Sequence, residues 1–133
     1  MERIASFTVD HNVLVPGLYL SRRDGNVVTF DLRFKKPNTG DLLTNAEMHS
    51  VEHVIATLLR NSPRKDAVVY FGPMGCQTGF YFLFDGAQLS ESEAVALVQQ
   101  VFARGAAYDG EMPGKSAAEC GNYRNLDVAL ARD

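Results

Sequence analysis

Three times along the chain a hydroxyl residue is followed three positions later by Glu: Thr44 with Glu47, Ser90 with Glu93, and Ser116 with Glu119. In that arrangement each side chain satisfies the other's backbone N–H, orphaned at the start of a helix, so the pattern marks helix starts wherever it precedes apolar periodicity. The helix opened at Thr44 runs to about Asn61 and stops at Ser62-Pro63, because proline disfavours helical backbone in the residue before it. The helix opened at Ser90 carries Val95, Val98, Val101 and Phe102 and ends at Gly105, a residue suited to a left-handed cap. The third start leaves room for about one turn before Gly121. A polar linker, Gly105 to Lys115, precedes it, and Leu126 to Ala131 is expected to form a last short helix.

Strands fill the spaces between these helices. Leu18 to Arg23 and Val27 to Phe34 are apolar-rich and are separated by Asp24-Gly25, a dipeptide that tolerates the positive φ of a hairpin turn. Ile4 to Val9 alternates as a further strand, and Ala67 to Phe71 and Gly79 to Phe84 form two more around a glycine-bearing loop. Helices between and after such strands predict an α+β fold, a two-layer sandwich with a mostly antiparallel sheet packed by helices. With 133 residues, 46% of them hydrophobic, a single domain spanning 1–133 is expected.

The formal net charge of −3 and the lack of any Lys/Arg run longer than a pair argue against a surface that tracks phosphates, so no nucleic acid partner is expected. The longest apolar runs, such as Phe80 to Phe84 and Ala94 to Val98, are far shorter than the ~20 residues of a membrane-spanning helix. Met1-Glu2-Arg3 leads into an alternating pattern rather than an apolar block, so neither a signal peptide nor a membrane partner is expected and the expected location is cytoplasmic. Two cysteines make no disulfide framework; they are better read as thiols with chemistry of their own.

Of three histidines, His49 and His53 stand four apart on the first helix. At ~100° per residue they differ by roughly 40°, so both imidazoles leave one face and can reach one metal ion. Met48, Val51, Ile55, Leu58 and Leu59 form the apolar stripe, centred well away from that face. Glu52 falls between the two, where a partly desolvated carboxylate suits proton transfer. Two histidines on the polar side of a helix are, taken alone, more often solvated surface than ligands; the intervening Glu52 brings the two readings level. The order His49-Ser50-Val51-Glu52-His53 is also the inverted zinc-protease signature, in which the Glu activates water, although 133 residues leave little room for a peptide-binding cleft.

Cys120, next to Gly121, is the better third ligand: two His and one Cys leave a position open, as catalytic sites do. The plain alternative is a small buried hydrophobe. If Cys76 joined as a fourth ligand the site would be closed and structural. Cys76 lies in Phe71-Gly72-Pro73-Met74-Gly75-Cys76-Gln77-Thr78-Gly79, whose glycines let backbone approach a ligand; the context suits a reactive thiolate acting as base or nucleophile as well as it suits a tight turn that happens to contain Cys.

Ser6-Phe7 through Asp10-His11-Asn12, then Asp31-Leu32-Arg33-Phe34, Pro37-Asn38, His49-Ser50-Val51-Glu52-His53, Pro73-Met74-Gly75-Cys76-Gln77-Thr78-Gly79 and Cys120-Gly121, taken in order along nearly the whole chain, strongly resemble the S-ribosylhomocysteine lyase (LuxS, autoinducer-2 synthase) family. The resemblance implies cleavage of the thioether of S-ribosyl-L-homocysteine to homocysteine and 4,5-dihydroxy-2,3-pentanedione, the precursor of a bacterial quorum-sensing signal, within the activated methyl cycle. It implies that His49, His53 and Cys120 bind one divalent metal ion per subunit, Fe(II) in the cell with Zn(II) or Co(II) able to substitute. It also implies Cys76 and Glu52 as catalytic proton-transfer groups, Ser6, His11 and Arg33 as substrate-binding residues, and a homodimer with its sites at the subunit interface. Two positions depart from the family pattern: Tyr70 stands where members often have Asp, and Lys35 where they have Cys. The competing readings are a small metal-dependent hydrolase of the H-x-x-E-H type and a non-catalytic domain with a structural metal.

Overall fold

The computed structural model describes residues 17–36, 38–108, 112, 113, 118, 120, 124 and 126–132. Ser6, His11, Pro37, the strand expected at Ile4 to Val9 and the pair Ser116 and Glu119 lie outside the described residues.

The hairpin forms from β1 (Gly17–Asp24) and β2 (Val27–Arg33), with Asp24 pairing with Val27. The turn is therefore Gly25-Asn26, one position later than the dipeptide expected to make it, and Gly25 supplies the positive φ of 62°. Beyond the first helix come a short 3-10 turn (Lys65–Ala67), β3 (Val68–Pro73) and β4 (Gly79–Asp85). The sheet order is β1-β2-β4-β3 and every pairing is antiparallel. β4, last in sequence, thus sits between β2 and β3.

Alternation assigns the two faces of the sheet. Val28, Phe30 and Leu32 of β2 stand beside Phe84, Phe82 and Phe80 of β4 and are buried against the helices with Met48, Ile55, Leu59, Leu97 and Val98. Aromatic contacts fill this layer, Phe30 against Phe84 at 4.9 Å and Phe71 stacked on Phe80 at 5.1 Å. The opposite face carries Thr29, Asp31 and Arg33 with Tyr81 and Leu83. A register shift between Val68 and Tyr70 turns Tyr70 to that face, opposite Leu83.

Helix α1 (Asn45–Arg60) starts as its capping box requires: Thr44 Oγ1 accepts from Glu47 N–H at 3.1 Å and Glu47 accepts from Thr44 N–H at 2.8 Å. Helix α2 (Glu91–Ala106) has the same box at Ser90 and Glu93, and α3 (Val128–Arg132) is the short last helix. Gly105 does not end α2 as a left-handed cap. It lies inside the helix, where an added Cβ would meet Ile55 Cδ1 at 2.8 Å, so its missing side chain serves the close crossing of α1 and α2. The outcome is the expected two-layer α+β sandwich.

Candidate metal centre and its neighbouring thiol

Successive turns of α1 present His49 and His53, with ring centroids 4.6 Å apart and planes at 87°. Cys120, 71 positions from His49, brings its Sγ to 3.2 Å from His49 Nε2. One ligand atom from each of the three residues falls within 4.8 Å of the others, and all three side chains are half-buried. His53 Nδ1 lies 2.6 Å from the carbonyl oxygen of Pro113. A carbonyl can only accept, so Nδ1 is the donor and Nε2 is the ring atom left to face a cation; such an outer contact is what orients a ligating histidine. Two imidazole nitrogens and a thiol fit a borderline-soft divalent ion, and three donors leave a coordination position for another molecule. Glu52, half-buried, lies on α1 between the two histidines.

Among the described residues, Cys76 does not belong to this cluster. Its exposed thiol belongs to a second group on the sheet face away from the helices. Arg33 is 4% exposed, not the solvated strand residue its position would allow. Its Nη2 donates to Asp31 Oδ2 at 2.8 Å, and its Nη1 donates to Thr78 Oγ1 at 2.6 Å and lies 3.7 Å from Cys76 Sγ. Thr78 Oγ1 is in turn 3.0 Å from Cys76 Sγ. Asp31 Oδ1 and Arg33 Nε, both buried, have no hydrogen-bond partner among the described residues.

Backbone contacts set the loop that carries Cys76. Met74 N–H donates to Gly79 O at 2.8 Å and Gln77 N–H to Met74 O at 3.1 Å, with Gln77 at φ 65°. Thr78 O accepts from the N–H groups of Phe34 and Lys35. Gly79 is required for this approach, because a Cβ there would lie 2.1 Å from Leu32 O. Gln77 also exchanges hydrogen bonds with Leu43, its O accepting from Leu43 N–H and its Nε2 donating to Leu43 O, each at 2.9 Å. Leu43 immediately precedes the cap of α1, so the thiol loop is tied to the start of the helix that carries both histidines.

Tyr81 borders the thiol group. Burial, and next the negative field of Asp31, push the Tyr81 phenol above its ordinary value, so it stays neutral at physiological pH. The hydroxyl end of half-exposed Tyr70 lies over Gly72, in space that a side chain there would fill.

Sequence reasoning singled out His49, His53 and Cys120, which come together, and Cys76 and Arg33, which also meet each other. It assigned no role to Asp31, Thr78 or the Pro113 carbonyl. The alternation Asp31-x-Arg33, opposite in phase to Val28, Phe30 and Leu32, could have shown that two charged groups share the face away from the apolar layer.

The family model described as S-ribosylhomocysteinase (LuxS) matches residues 4–133. A curated S-ribosylhomocysteine lyase from Desulfotalea psychrophila is 49% identical over 100% of this chain and 86% of that protein. Proteins of the same name from Finegoldia magna and Clostridium beijerinckii are 46% and 45% identical, each over 99% of this chain and 86% of the relative.

Proposed function

The chain belongs to the S-ribosylhomocysteinase (LuxS) family, and from that premise we propose that residues 1–133 form one lyase domain that cleaves S-ribosyl-L-homocysteine to homocysteine and 4,5-dihydroxy-2,3-pentanedione. The single observation that carries the reading is the meeting of His49, His53 and Cys120 from distant parts of the chain.

A thioether does not leave an ordinary sugar carbon. The carbonyl must first migrate along the ribose until the sulfur is β to it, and each migration removes a proton beside a carbonyl and returns one to the neighbouring carbon. His49, His53 and Cys120 would hold one divalent ion per subunit, natively Fe(II) with Zn(II) or Co(II) able to replace it, and the ion would supply Lewis acidity. Cys76 as thiolate takes the carbon-bound proton and returns it. Arg33 stands beside that sulfur, and its charge favours the negative charge left on the sugar when the proton leaves. Glu52 moves protons to and from the sugar oxygens and assists the final β-elimination. Arg33, together with Ser6 and His11, contacts the substrate. Tyr81, held neutral, does not compete with Cys76 as the base.

The working unit is a homodimer with the substrate bound at the subunit interface, a reading supported by the family assignment and by the small core of a single chain. The location is cytoplasmic; among the described residues no helix is long and apolar enough to cross a membrane. No role for nucleic acid is proposed.

Incubation of the metal-loaded protein with S-ribosylhomocysteine, followed by colorimetric detection of free thiol, tests the assignment. Thiol release is expected. The Cys76→Ala variant should lose turnover while keeping its metal and its fold, whereas a hydrolase using Glu52 would keep activity without Cys76. A metal-loaded preparation that releases no thiol overturns the reading.

A further inference from the structure

We infer that Thr78 is a positioning residue for Cys76, its hydroxyl held by Arg33 in the one orientation that donates a hydrogen bond to the sulfur and keeps it a thiolate. The inference rests on Cys76 being the proton-transfer group.

The argument is one of donor and acceptor accounting. Thr78 is 2% exposed, so its hydroxyl must find its partners within the protein. Arg33 has no acceptor atom, so at 2.6 Å its Nη1 donates and Thr78 Oγ1 accepts. The hydroxyl proton then has to go elsewhere, and among the described residues Cys76 Sγ at 3.0 Å is the other partner of Oγ1. Arg33 Nη1 points a second N–H toward the same sulfur at 3.7 Å. Two donors thus converge on Sγ, and hydrogen bonds to the charged form of a group favour that form.

Asp31 keeps this arrangement in register. Its Oδ2 fixes Nη2 of Arg33, so the guanidinium cannot swing away from Thr78 without breaking a buried ion pair. Among the described residues, the charged and titratable groups around the sulfur are then Arg33 and Asp31 from β2 and Tyr81 from β4. Arg33 favours the thiolate, Asp31 opposes it from behind the guanidinium, and neutral Tyr81 adds no charge. During turnover the thiolate lone pair takes the proton from the sugar carbon, and the C–H electron pair moves toward the adjacent carbonyl. The S–H bond so formed breaks when the proton returns to the neighbouring carbon, and the Thr78 hydroxyl is again opposite a thiolate.

The test uses metal-loaded, substrate-free protein. Alkylation of Cys76 by iodoacetamide is followed against pH by peptide mass spectrometry, with Cys120 read separately. Thr78→Val should raise the pH midpoint of Cys76 alkylation by about one unit and reduce the rate near neutrality about tenfold. Thr78→Ala, which adds no bulk, provides the same comparison should the valine variant fail to fold, and Thr78→Ser should return the midpoint to the parent value. In turnover, the acidic limb of the kcat/KM profile should move upward with the alkylation midpoint. An unshifted midpoint in a folded variant without the hydroxyl overturns the inference, and so does a serine variant shifted as far as valine. Thiol release by Cys76→Ala would defeat the role of Cys76 instead, while the alkylation midpoints would still decide the role of Thr78.

Discussion

Ser50 is fully buried on α1, and its Oγ accepts from Asp127 N–H at 2.9 Å, tying the helix that holds the histidines to the chain leading into α3. Replacing Ser50 with Ala takes this acceptor from a part-buried N–H. We expect a loss of about 1–3 kcal/mol in urea unfolding; no change in midpoint would show the bond to be dispensable. The apolar stripe drawn from periodicity placed Val51 and Leu58 in the core with Met48, Ile55 and Leu59. Val51 and Leu58 pack against the core but are half-buried, whereas Val54 and Ser50 are buried fully, Val54 near the crossing of α2 at Gly105 and Ser50 against the chain leading into α3. A 3.6-residue period reports one apolar stripe and is blind to a small polar residue buried by a later segment. Arg33 shows the same limit, since a charged residue at a strand end reads as solvated until Asp31, Thr78 and Cys76 are seen around it.

Elements proved the most legible level, for the reason that their signals act over four residues or fewer. The capping box placed the start of α1 at Thr44 and that of α2 at Ser90, and both boxes are formed. Glu47 is held below its ordinary carboxyl value first by the hydrogen bond from Thr44 backbone N–H and then by the Thr44 hydroxyl. A carboxyl lowered by folding contributes stability that is present above its unfolded value, about 4.5, and is lost as pH falls through the folded value. Thr44→Ala should therefore cost about 1 kcal/mol at pH 7, with the deficit narrowing in acid. Urea unfolding at pH 7 and at pH 3 checks this, and an equal deficit at both would refute the link to Glu47. Where element reading missed, tertiary contact prevailed: a glycine near a helix end suggested a stop, but the crossing of α1 against Gly105 keeps that residue within α2.

The whole molecule is held partly by contacts that close very long stretches of chain. An ion gripped by His49 and His53 from α1 and by Cys120 would bridge 71 positions, and a group that binds only the folded state stabilises it by mass action. Removing the metal with a chelator should lower the Tm, by an amount corresponding to about 2.7 kcal/mol where the free ion stood at 100 times its Kd. Calorimetry with and without chelator measures the difference; His53→Ala should have a lower Tm than the parent before chelation and respond little to it. The order β1-β2-β4-β3 belongs to the same scale, since nothing local directs β4 to insert between β2 and β3. By itself the amino-acid order determined the helix starts, the hairpin, the α+β class, the two-histidine face of α1 and, through motifs kept in order, the family. Only the tertiary structure decided that Cys120 meets His49 while Cys76 does not, and that Cys76 instead shares Thr78 with a buried arginine. Caps and periods are interactions between near neighbours and are written in spacing, whereas contacts across 43 and 71 positions exist only once β4 lies against β2 and the chain after α2 returns to α1.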